Sequence, residues 1–195
     1  VSYCEKENEV HYNPIPTQPN NEIWYTSKDG NIVEPYSGST TPFLDIDGNN
    51  IPIVSNTYEN CKGIIKFKKD CIQINMDAFS GCTSLLEIAI PNKVTSIGEG
   101  AFWGCTSLVG ITIPNLVTFI GKNAFRNCSS LTGITIPDSV TTIGQGAFAY
   151  WTGATSTDII HFPNEQLKIK YFESGYSFYN WESLTSVTIP DSVTS

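Results

Sequence analysis

Cysteine is the residue type in this chain whose spacing comes closest to a chemical motif. Three of the six cysteines, Cys82, Cys105 and Cys128, follow one another at intervals of 23 residues. Evenly spaced thiols could bind zinc, form disulfides or pack in a core. A zinc site needs ligands that converge on one point, whereas residues at one position of a repeat form a straight row. We therefore predict a stack of buried thiols, with a strained disulfide between neighbours as the alternative.

Other residues with catalytic or metal-binding chemistry do not form a motif. His11 and His161 lie in different contexts, and a Ser-His-Asp site needs three groups that converge on an exposed nucleophile. The run from Asp45 to Asn49 is similar to the start of a calcium loop, but an EF-hand also needs a distal bidentate glutamate. A hairpin turn fits this run better. We predict no enzymatic activity, no metal site and no cofactor.

The charge of the chain argues against two classes of partner. The net charge is -8 over 195 residues, and the basic residues cluster only at Lys62, Lys66, Lys68 and Lys69. A nucleic-acid-binding protein needs a basic stripe that neutralises phosphates, so we interpret this cluster as the solvated face of a strand. No apolar run approaches the roughly 18 residues of a transmembrane helix.

A repeat of 23 residues organises most of the sequence. The dipeptide Ala-Phe begins at positions 78, 101, 124 and 147, and apolar residues recur in phase with it. An Ile-x-Ile strand is followed by a proline turn, a shorter strand, a bend and a turn at Ala-Phe. The recurring apolar residues include Leu85, Leu108, Leu131, Ile88, Ile111, Ile134, Val94, Val117, Val140, Ile97, Ile120 and Ile143.

Two polar positions of the repeat carry conformational information. Positions 75, 98, 121 and 144 hold Asn or Gly, which are typical of a left-handed backbone. Positions 77, 100, 123 and 146 hold Asp, Gly, Asn and Gly, which favour a helix N-cap. We therefore predict a short helical turn that begins at each Ala-Phe. One repeat cannot bury its own apolar side, so neighbouring repeats must stack.

The run from Ser96 to Leu108, followed by Ile111-Thr112-Ile113-Pro114, resembles the BspA-like branch of leucine-rich repeats, found in surface proteins of Bacteroides-type bacteria. The resemblance covers roughly residues 58–195. It implies a leucine-rich-repeat solenoid, β-rich with short helical turns, whose 23-residue coils form parallel strand ladders. It also implies a secreted or surface-anchored adhesin. The family offers no catalytic residues to carry over, and its repeat motif does not encode ligand contacts.

We expect three regions: a flexible lead at residues 1–20, an N-terminal β-hairpin cap at 21–57, and a leucine-rich-repeat solenoid at 58–195 with an insertion at about 150–180. In the cap, Ile23 to Thr26 should pair with Ile32 to Glu34, and Phe43 to Ile46 with Asn49 to Val54. A degenerate first coil should place Ile65 and Phe67 in the ladder.

The remaining cysteines lie near the N-terminus. Cys4 precedes an acidic run and resembles the lipidated cysteine of a lipoprotein, with an ordinary thiol as the alternative. Met76 is the only methionine, so we expect that a leader preceded Val1. We predict two thiols at Cys61 and Cys71, with a disulfide between them as the alternative.

Binding residues are expected at two places. The irregular fifth coil is rich in aromatic residues, which supply interface hot spots, and the small polar residues of the Ile-x-Ile strands point outward. We predict a cell-surface or secreted protein, extracellular or on the outer membrane, that acts as an adhesin on host matrix or bacterial surface proteins. A carbohydrate-binding accessory protein is the alternative. The predicted ligand-binding residues are Tyr150, Trp151, Tyr171, Tyr176, Tyr179, Thr112 and Thr135.

Overall fold

The structure is a computed structural model that describes residues 17–38, 40–131 and 133–151, together with the backbone of one strand at 160–161. These residues form strands and turns, with no helix among them. The strands are β1 (Glu22–Ser27), β2 (Phe43–Leu44), β3 (Ile53–Glu59), β4 (Lys62–Phe67), β5 (Gln73–Ile74), β6 (Leu85–Ala89), β7 (Ser96–Ile97), β8 (Gly110–Thr112), β9 (Phe119–Ile120), β10 (Ile134–Thr135), β11 (Thr142–Ile143) and β12 (Ile160–His161).

One sheet has the order β11-β9-β7-β5-β2 and contains the shorter strand of each repeat. Its parallel register joins Gln73 to Ser96, Ser96 to Phe119 and Phe119 to Thr142, so each partner lies 23 residues further along the chain. Strand β2 closes one edge by pairing antiparallel with β5. Equivalent residues of successive repeats are therefore direct neighbours on this face.

The second sheet has the order β3-β4-β1-β6-β8 and differs from the prediction. Strand β1 pairs antiparallel with both β4 and β6, so the expected hairpin between Ile23–Thr26 and Ile32–Glu34 is wrong. Because β1 separates β4 from β6, Ile65 and Phe67 do not join a parallel ladder with the next repeat. Strand β1 can lie between β4 and β6 because its residues alternate in burial, with Ile23 and Tyr25 pointing into the core.

The hairpin of this region joins β3 to β4 instead. Its tip is Asn60 and Cys61, both with positive φ. The predicted boundary between residues 57 and 58 therefore falls inside β3. The turn expected at Asp45–Asn49 is present, since the amide of Asp45 donates to the carbonyl of Asn49 at 2.9 Å. Strand β2 bridges back to Asn50, although its longer pairing is with β5.

The segment at Ala-Phe is a series of turns, and the predicted helical turn is wrong in the described repeats. Its amide groups alternate between two kinds of acceptor. The amide of Phe79 donates to the carbonyl of Ala101 in the next repeat at 2.7 Å, whereas the amide of Ser80 donates to Asp77 within its own turn at 3.0 Å. In an α-helix each amide donates to the carbonyl four residues earlier. Here every second amide donates to a carbonyl of the next repeat instead, so a helix cannot form.

The predictions for the two conformational positions of the repeat are also wrong. The left-handed residues are at the position predicted to cap a helix: Asp77, Gly100, Asn123 and Gly146, with φ between 54° and 68°. Glycine at the other position serves close packing. A Cβ on Gly121 would lie 2.5 Å from the backbone nitrogen of Glu99 in the preceding repeat.

The core is a row of stacked residues. The rings of Phe79, Phe102, Phe125 and Phe148 are nearly parallel, with centroids 5.3 to 5.7 Å apart. Beside them, the predicted stack of buried free thiols at Cys82, Cys105 and Cys128 is confirmed. Burial raises the pKa of Cys82 to about 12.

The two cysteines near β4 are in different states. Cys71 is a buried free thiol, as predicted, whereas Cys61 is disulfide-bonded. The prediction of a thiol at Cys61 is therefore wrong, and so is the alternative of a Cys61–Cys71 disulfide. Cys4 lies outside the described residues.

Candidate functional site

The outward side of the second sheet presents a flat row of small residues. Register places Trp24 of β1 beside Ala89 of β6, and Ala89 beside Thr112 of β8. Strand β10, which carries Thr135, is the next neighbour of β8. Thr112 and Thr135 are both exposed, as expected for residues between the two inward isoleucines of a strand.

Trp24 rises from this row and is held from two sides. Its indole Nε1 donates to Glu22 Oε2 at 2.8 Å, and Lys62 Nζ lies 3.2 Å from the centre of its ring. Glu22 also pairs with Lys66 Nζ at 3.2 Å. The hydrogen bond from Trp24, and then those contacts with Lys66, lower the pKa of Glu22. The indole is thus fixed before any ligand arrives.

Trp24 and the small residues together line a groove of about 500 Å³, which we call the shelf. Trp24 and Lys62 form its wall, and Ala89, Gly110 and Thr112 form its floor. A floor without large side chains lets a ligand approach the sheet closely.

Polar groups of the shelf include an exposed carboxylate and a buried hydroxyl. Glu87 pairs with Gly110 across the floor, where its side chain meets no bulky neighbour. The hydroxyl of Thr26 is buried and has no hydrogen-bond partner. Buried polar atoms are normally satisfied by protein or water. The groups that a ligand can reach are Glu87 and Thr112, which are exposed and lie beside the aromatic face of Trp24, a combination found in many binding sites.

The aromatic residues predicted to bind a ligand differ in their exposure. Trp151 is 1% exposed, so its interpretation as an exposed aromatic platform is wrong. Its alignment with Cys128 puts it in the core. Tyr150 is partly buried, with the guanidinium carbon of Arg126 lying 4.5 Å from the centre of its ring. Tyr171, Tyr176 and Tyr179 lie outside the described residues.

Trp24 and Lys62 were missed as site residues because they come from the cap and from β4. The structure brings them to the repeat only because β1 lies between β4 and β6. The available signal was the alternation of β1, which places Trp24 on the face opposite Ile23 and Tyr25.

The part of the chain that the structure describes contains neither a metal-binding cluster nor a membrane-spanning helix. No group of three His, Cys, Asp or Glu side chains there could hold a metal ion. No helix there is long and apolar enough to cross a membrane.

The repeat matches a known family. The sequence profile described as BspA type leucine-rich repeat region matches in six copies, over residues 49–174 and 153–195. The chain belongs to this family. Its described part has the strand-rich architecture of leucine-rich repeats. A comparison with curated protein sequences finds no match.

Three solved structures are similar to parts of the chain. A leucine-rich cell surface protein from Faecalibacterium prausnitzii is 37% identical over 45% of this chain and 23% of its own, with a TM-score of 0.41. A leucine-rich-repeat protein from Bacteroides ovatus is 33% identical over 57% of this chain and 32% of its own, with a TM-score of 0.38. The T. pallidum leucine-rich-repeat protein is 29% identical over 45% of this chain and 52% of its own, with a TM-score of 0.37. The chain thus spans between a quarter and about half of these proteins.

Proposed function

We propose that this protein is an adhesin-like binding protein of the bacterial cell surface, or a secreted one, and that it contacts a protein ligand through the shelf. The observation that carries the proposal is a fixed indole, Trp24, beside a flat floor of small residues. Buried tryptophans are among the commonest interface hot spots, and an indole that is already fixed loses little side-chain entropy when a ligand binds.

The row of small residues extends beyond the groove, and this supports a protein ligand. A stable protein interface buries about 800 Å² on each partner, so a protein would have to contact more of the sheet than the groove alone. The floor extends past Thr112 to Thr135, and both residues are exposed. We propose that a ligand seated against Trp24 extends along this row, and that the repeat region as a whole is a solenoid that lengthens it. Host matrix proteins and bacterial surface proteins are the ligand classes that we propose.

The proposed location follows from the family. BspA-type repeats match most of the chain, and one similar structure is named a cell surface protein. A chain low in charged residues and rich in strands fits this location. Attachment through a lipid on Cys4 remains a proposal.

A glycan ligand is the second candidate, and the polar groups of the shelf favour it. Sugars stack on aromatic rings and bond to carboxylates and hydroxyls. Trp24, Glu87 and the exposed hydroxyl of Thr112 supply these groups in one groove. Trp24 is the aromatic platform of this candidate, because Trp151 is buried.

The test compares two exposed threonines on different sheets. Thr112→Arg puts a long side chain on the floor of the shelf, and Thr142→Arg does the same on the other sheet as a control. Binding of both variants to immobilised purified matrix proteins and to a glycan array would be measured, with melting temperatures to check folding. We expect Thr112→Arg alone to abolish binding.

Trp24→Ala provides the second readout. Loss of the indole should weaken binding of a protein ligand at least tenfold, as at a hot spot. If a ligand is bound equally well by the parent, Thr112→Arg and Trp24→Ala, the shelf is not the binding site. If only the glycan array gives a signal that these variants abolish, the glycan candidate replaces the protein ligand.

A further inference from the structure

Strand β3 lies at the edge of the second sheet, and no strand of the described residues pairs with its outer side. Its hairpin with β4 is closed by Glu59 and Lys62 around a two-residue turn. In such a hairpin the closing pair, and every second pair along the strands, exchange hydrogen bonds. Asn56 and Tyr58 lie between these pairs, so their backbone N–H and C=O groups point away from the sheet. No described residue bonds to these backbone groups.

The regular part of this edge lacks the features that usually keep an edge strand from pairing. Those features are charged side chains, proline and bulges. A bulge disrupts β3 between Ile53 and Ser55, and the strand is regular from Ser55 to Glu59. The sequence has no charged residue from Gly48 to Tyr58. Two chains of net charge -8 can therefore bring their β3 edges together without like charges meeting there.

Apolar side chains beside this edge are exposed. Ile53 and Val54, at the start of β3, are 37% and 62% exposed. Ile32 is 43% exposed. It precedes Val33, whose carbonyl accepts a hydrogen bond from the side chain of Asn56 at 3.0 Å. Exposed apolar residues grouped at one place mark interaction surfaces, so a partner that covers the edge would also bury apolar area.

The edge is complementary to a second copy of itself. Antiparallel pairing about a two-fold axis at Thr57 places Asn56 of each copy opposite Tyr58 of the other. The outward backbone groups of these two residues then bond to each other across the axis. Thr57 is exposed and faces Thr57 of the second copy, and threonine pairs across antiparallel strands are favourable. Ser55 lies opposite Glu59, so no like charges are paired.

We propose that two copies of this chain pair through β3 and form a two-fold dimer with one continuous sheet. The occupant of the edge is a second copy rather than an unrelated strand, because symmetric pairing covers two free edges at once and then closes. The uncharged strand and its favourable pairs at the axis support the same choice.

The dimer brings two shelves onto one face. Register places Thr57, Ile64, Trp24 and Ala89 in one row across the sheet. A two-fold axis through this row keeps the outward sides of both sheets together. Five strand spacings, ~24 Å in all, separate the two copies of Trp24. A ligand with two equivalent segments can then contact both shelves. This consequence rests on the proposed function, whereas the dimer does not.

Two exposed threonines of the same row supply a matched pair of variants, Thr57→Arg and Thr112→Arg. Light scattering after size exclusion would give the mass of the full chain at concentrations on the order of 1 µM to 1 mM, the range of weak to moderate dissociation constants. The parent should shift from the mass of one chain to that of two. Thr57→Arg should stay at one chain, because like charges then lie opposite each other. Thr112→Arg should dimerise as the parent does.

Cross-linking tests the register, with Ser55→Cys as the control for Thr57→Cys. In the dimer the two Cα atoms at position 57 are about 4.5 Å apart, within the range of a disulfide. Those at position 55 are four residues out of register, about 13 Å, and cannot be bridged. Mild oxidation should therefore link Thr57→Cys into a dimer on a non-reducing gel, and leave Ser55→Cys as the parent is.

Several outcomes would overturn the proposal: a parent that stays at the mass of one chain, a Thr57→Arg variant that dimerises as the parent does, or equal cross-linking of Thr57→Cys and Ser55→Cys. Hydrogen exchange identifies another occupant. Amides of Asn56 and Tyr58 that are equally protected at low and high concentration would mean that the chain covers its own edge. Melting temperatures exclude unfolding. A Thr112→Arg variant that dimerises and keeps ligand binding would count against the shelf alone, so the two proposals fail separately.

Discussion

The indole Nε1 of Trp151 donates a hydrogen bond to the carbonyl oxygen of Phe125 at a distance of 2.9 Å. In the preceding repeats a thiol makes the same contact, since Cys128 Sγ reaches the carbonyl of Phe102 at 3.2 Å. A tryptophan therefore takes both the position and the hydrogen bond of a cysteine. Its ring also meets that of Phe148 edge to face, with centroids 5.5 Å apart.

Trp151→Phe should separate the hydrogen bond from the packing. Phenylalanine keeps most of the buried ring but leaves the Phe125 carbonyl without the indole donor. We expect the free energy of unfolding to fall by about 0.5 to 1.5 kcal/mol, the net contribution of one hydrogen bond, because the amide of Cys128 still donates to this carbonyl at 3.3 Å. Chemical denaturation would measure it. Trp151→Ala, which also opens a cavity, should cost about 3 to 5 kcal/mol; equal losses for the two variants would mean that the hydrogen bond dominates over packing.

Gly121→Ala and Gly104→Ala should differ in severity, although both remove a glycine from the turn side. A Cβ on Gly121 would lie 2.5 Å from backbone atoms of the preceding repeat, which cannot move without shifting that repeat. On Gly104 it would have no contact closer than 3.9 Å, so only its positive φ is unfavourable. We expect a loss of about 1 to 2 kcal/mol for Gly104→Ala.

Thermal melts would compare the two glycine variants. Gly121→Ala should give a clearly larger loss or fail to fold, in which case soluble yield is the readout. A Gly121→Ala variant as stable as Gly104→Ala would show that the repeats are packed less tightly than the structure has them.

Asp45 should contribute to stability in a pH-dependent way. Lys69 Nζ lies 2.5 Å from Asp45 Oδ2, and the amides of Asp47 and Asn49 donate to the other oxygen. The hydrogen bond from Lys69, followed by that from Asn49, lowers the pKa of Asp45. A lowered pKa in the folded state means that this stability is present above the ordinary pKa of about 3.9 and is lost as pH falls below it.

The variant Asp45→Asn should therefore lower the melting temperature at pH 7 and melt more like the parent near pH 2. The exposed Asp138→Asn is the control and should follow the parent at both pH values. If the difference between Asp45→Asn and the parent were the same at pH 2 as at pH 7, ionisation of Asp45 would not contribute.

The cysteines should react in two classes. Cys71, Cys82, Cys105 and Cys128 are buried free thiols, so a thiol reagent should not reach them in the folded protein. Unfolding without a reductant should expose all of them. Cys61 should react only after reduction, because it is disulfide-bonded.

The number of thiols also bears on the lipid anchor. Besides Cys61 and the four free thiols, the sequence contains only Cys4. If the proposed lipid occupies Cys4, the unfolded, unreduced chain should show four reactive thiols, and a non-reducing digest should contain no Cys4–Cys61 peptide. Five reactive thiols would mean that Cys61 bonds to another chain and that Cys4 is free. A Cys4–Cys61 disulfide would leave no thiol at Cys4 for a lipid.

The repeat allowed most of the core to be predicted, because burial in stacked units follows the period of the sequence. Phe102, Cys105 and Leu108 are all fully buried, as their recurring positions indicate. The alignment also contained the correct answer for Trp151, which shares its position with Cys128. Aromatic character alone favours an exposed binding residue, whereas the position in the repeat indicates a buried one.

Hydrogen bonds and strand pairings between segments that are far apart in the sequence could not be predicted from the repeat. The residues around Phe79 favour a turn of helix locally, but the amide of Phe79 bonds to Ala101 in the next repeat. Likewise, the sequence of β1 shows an amphipathic strand without showing its partners. The shelf was missed for this reason, since Trp24 meets Ala89 and Thr112 only through that pairing.

The insertion of β1 beside β6 has a consequence for how many ligands one chain can hold. An additional repeat would lengthen the floor that begins at Ala89, but it would bring no second Trp24, because the wall comes from the cap. Each chain would then be monovalent for a ligand of the shelf, however many repeats it has. Avidity on a bacterial surface would depend on the density of chains rather than on their length.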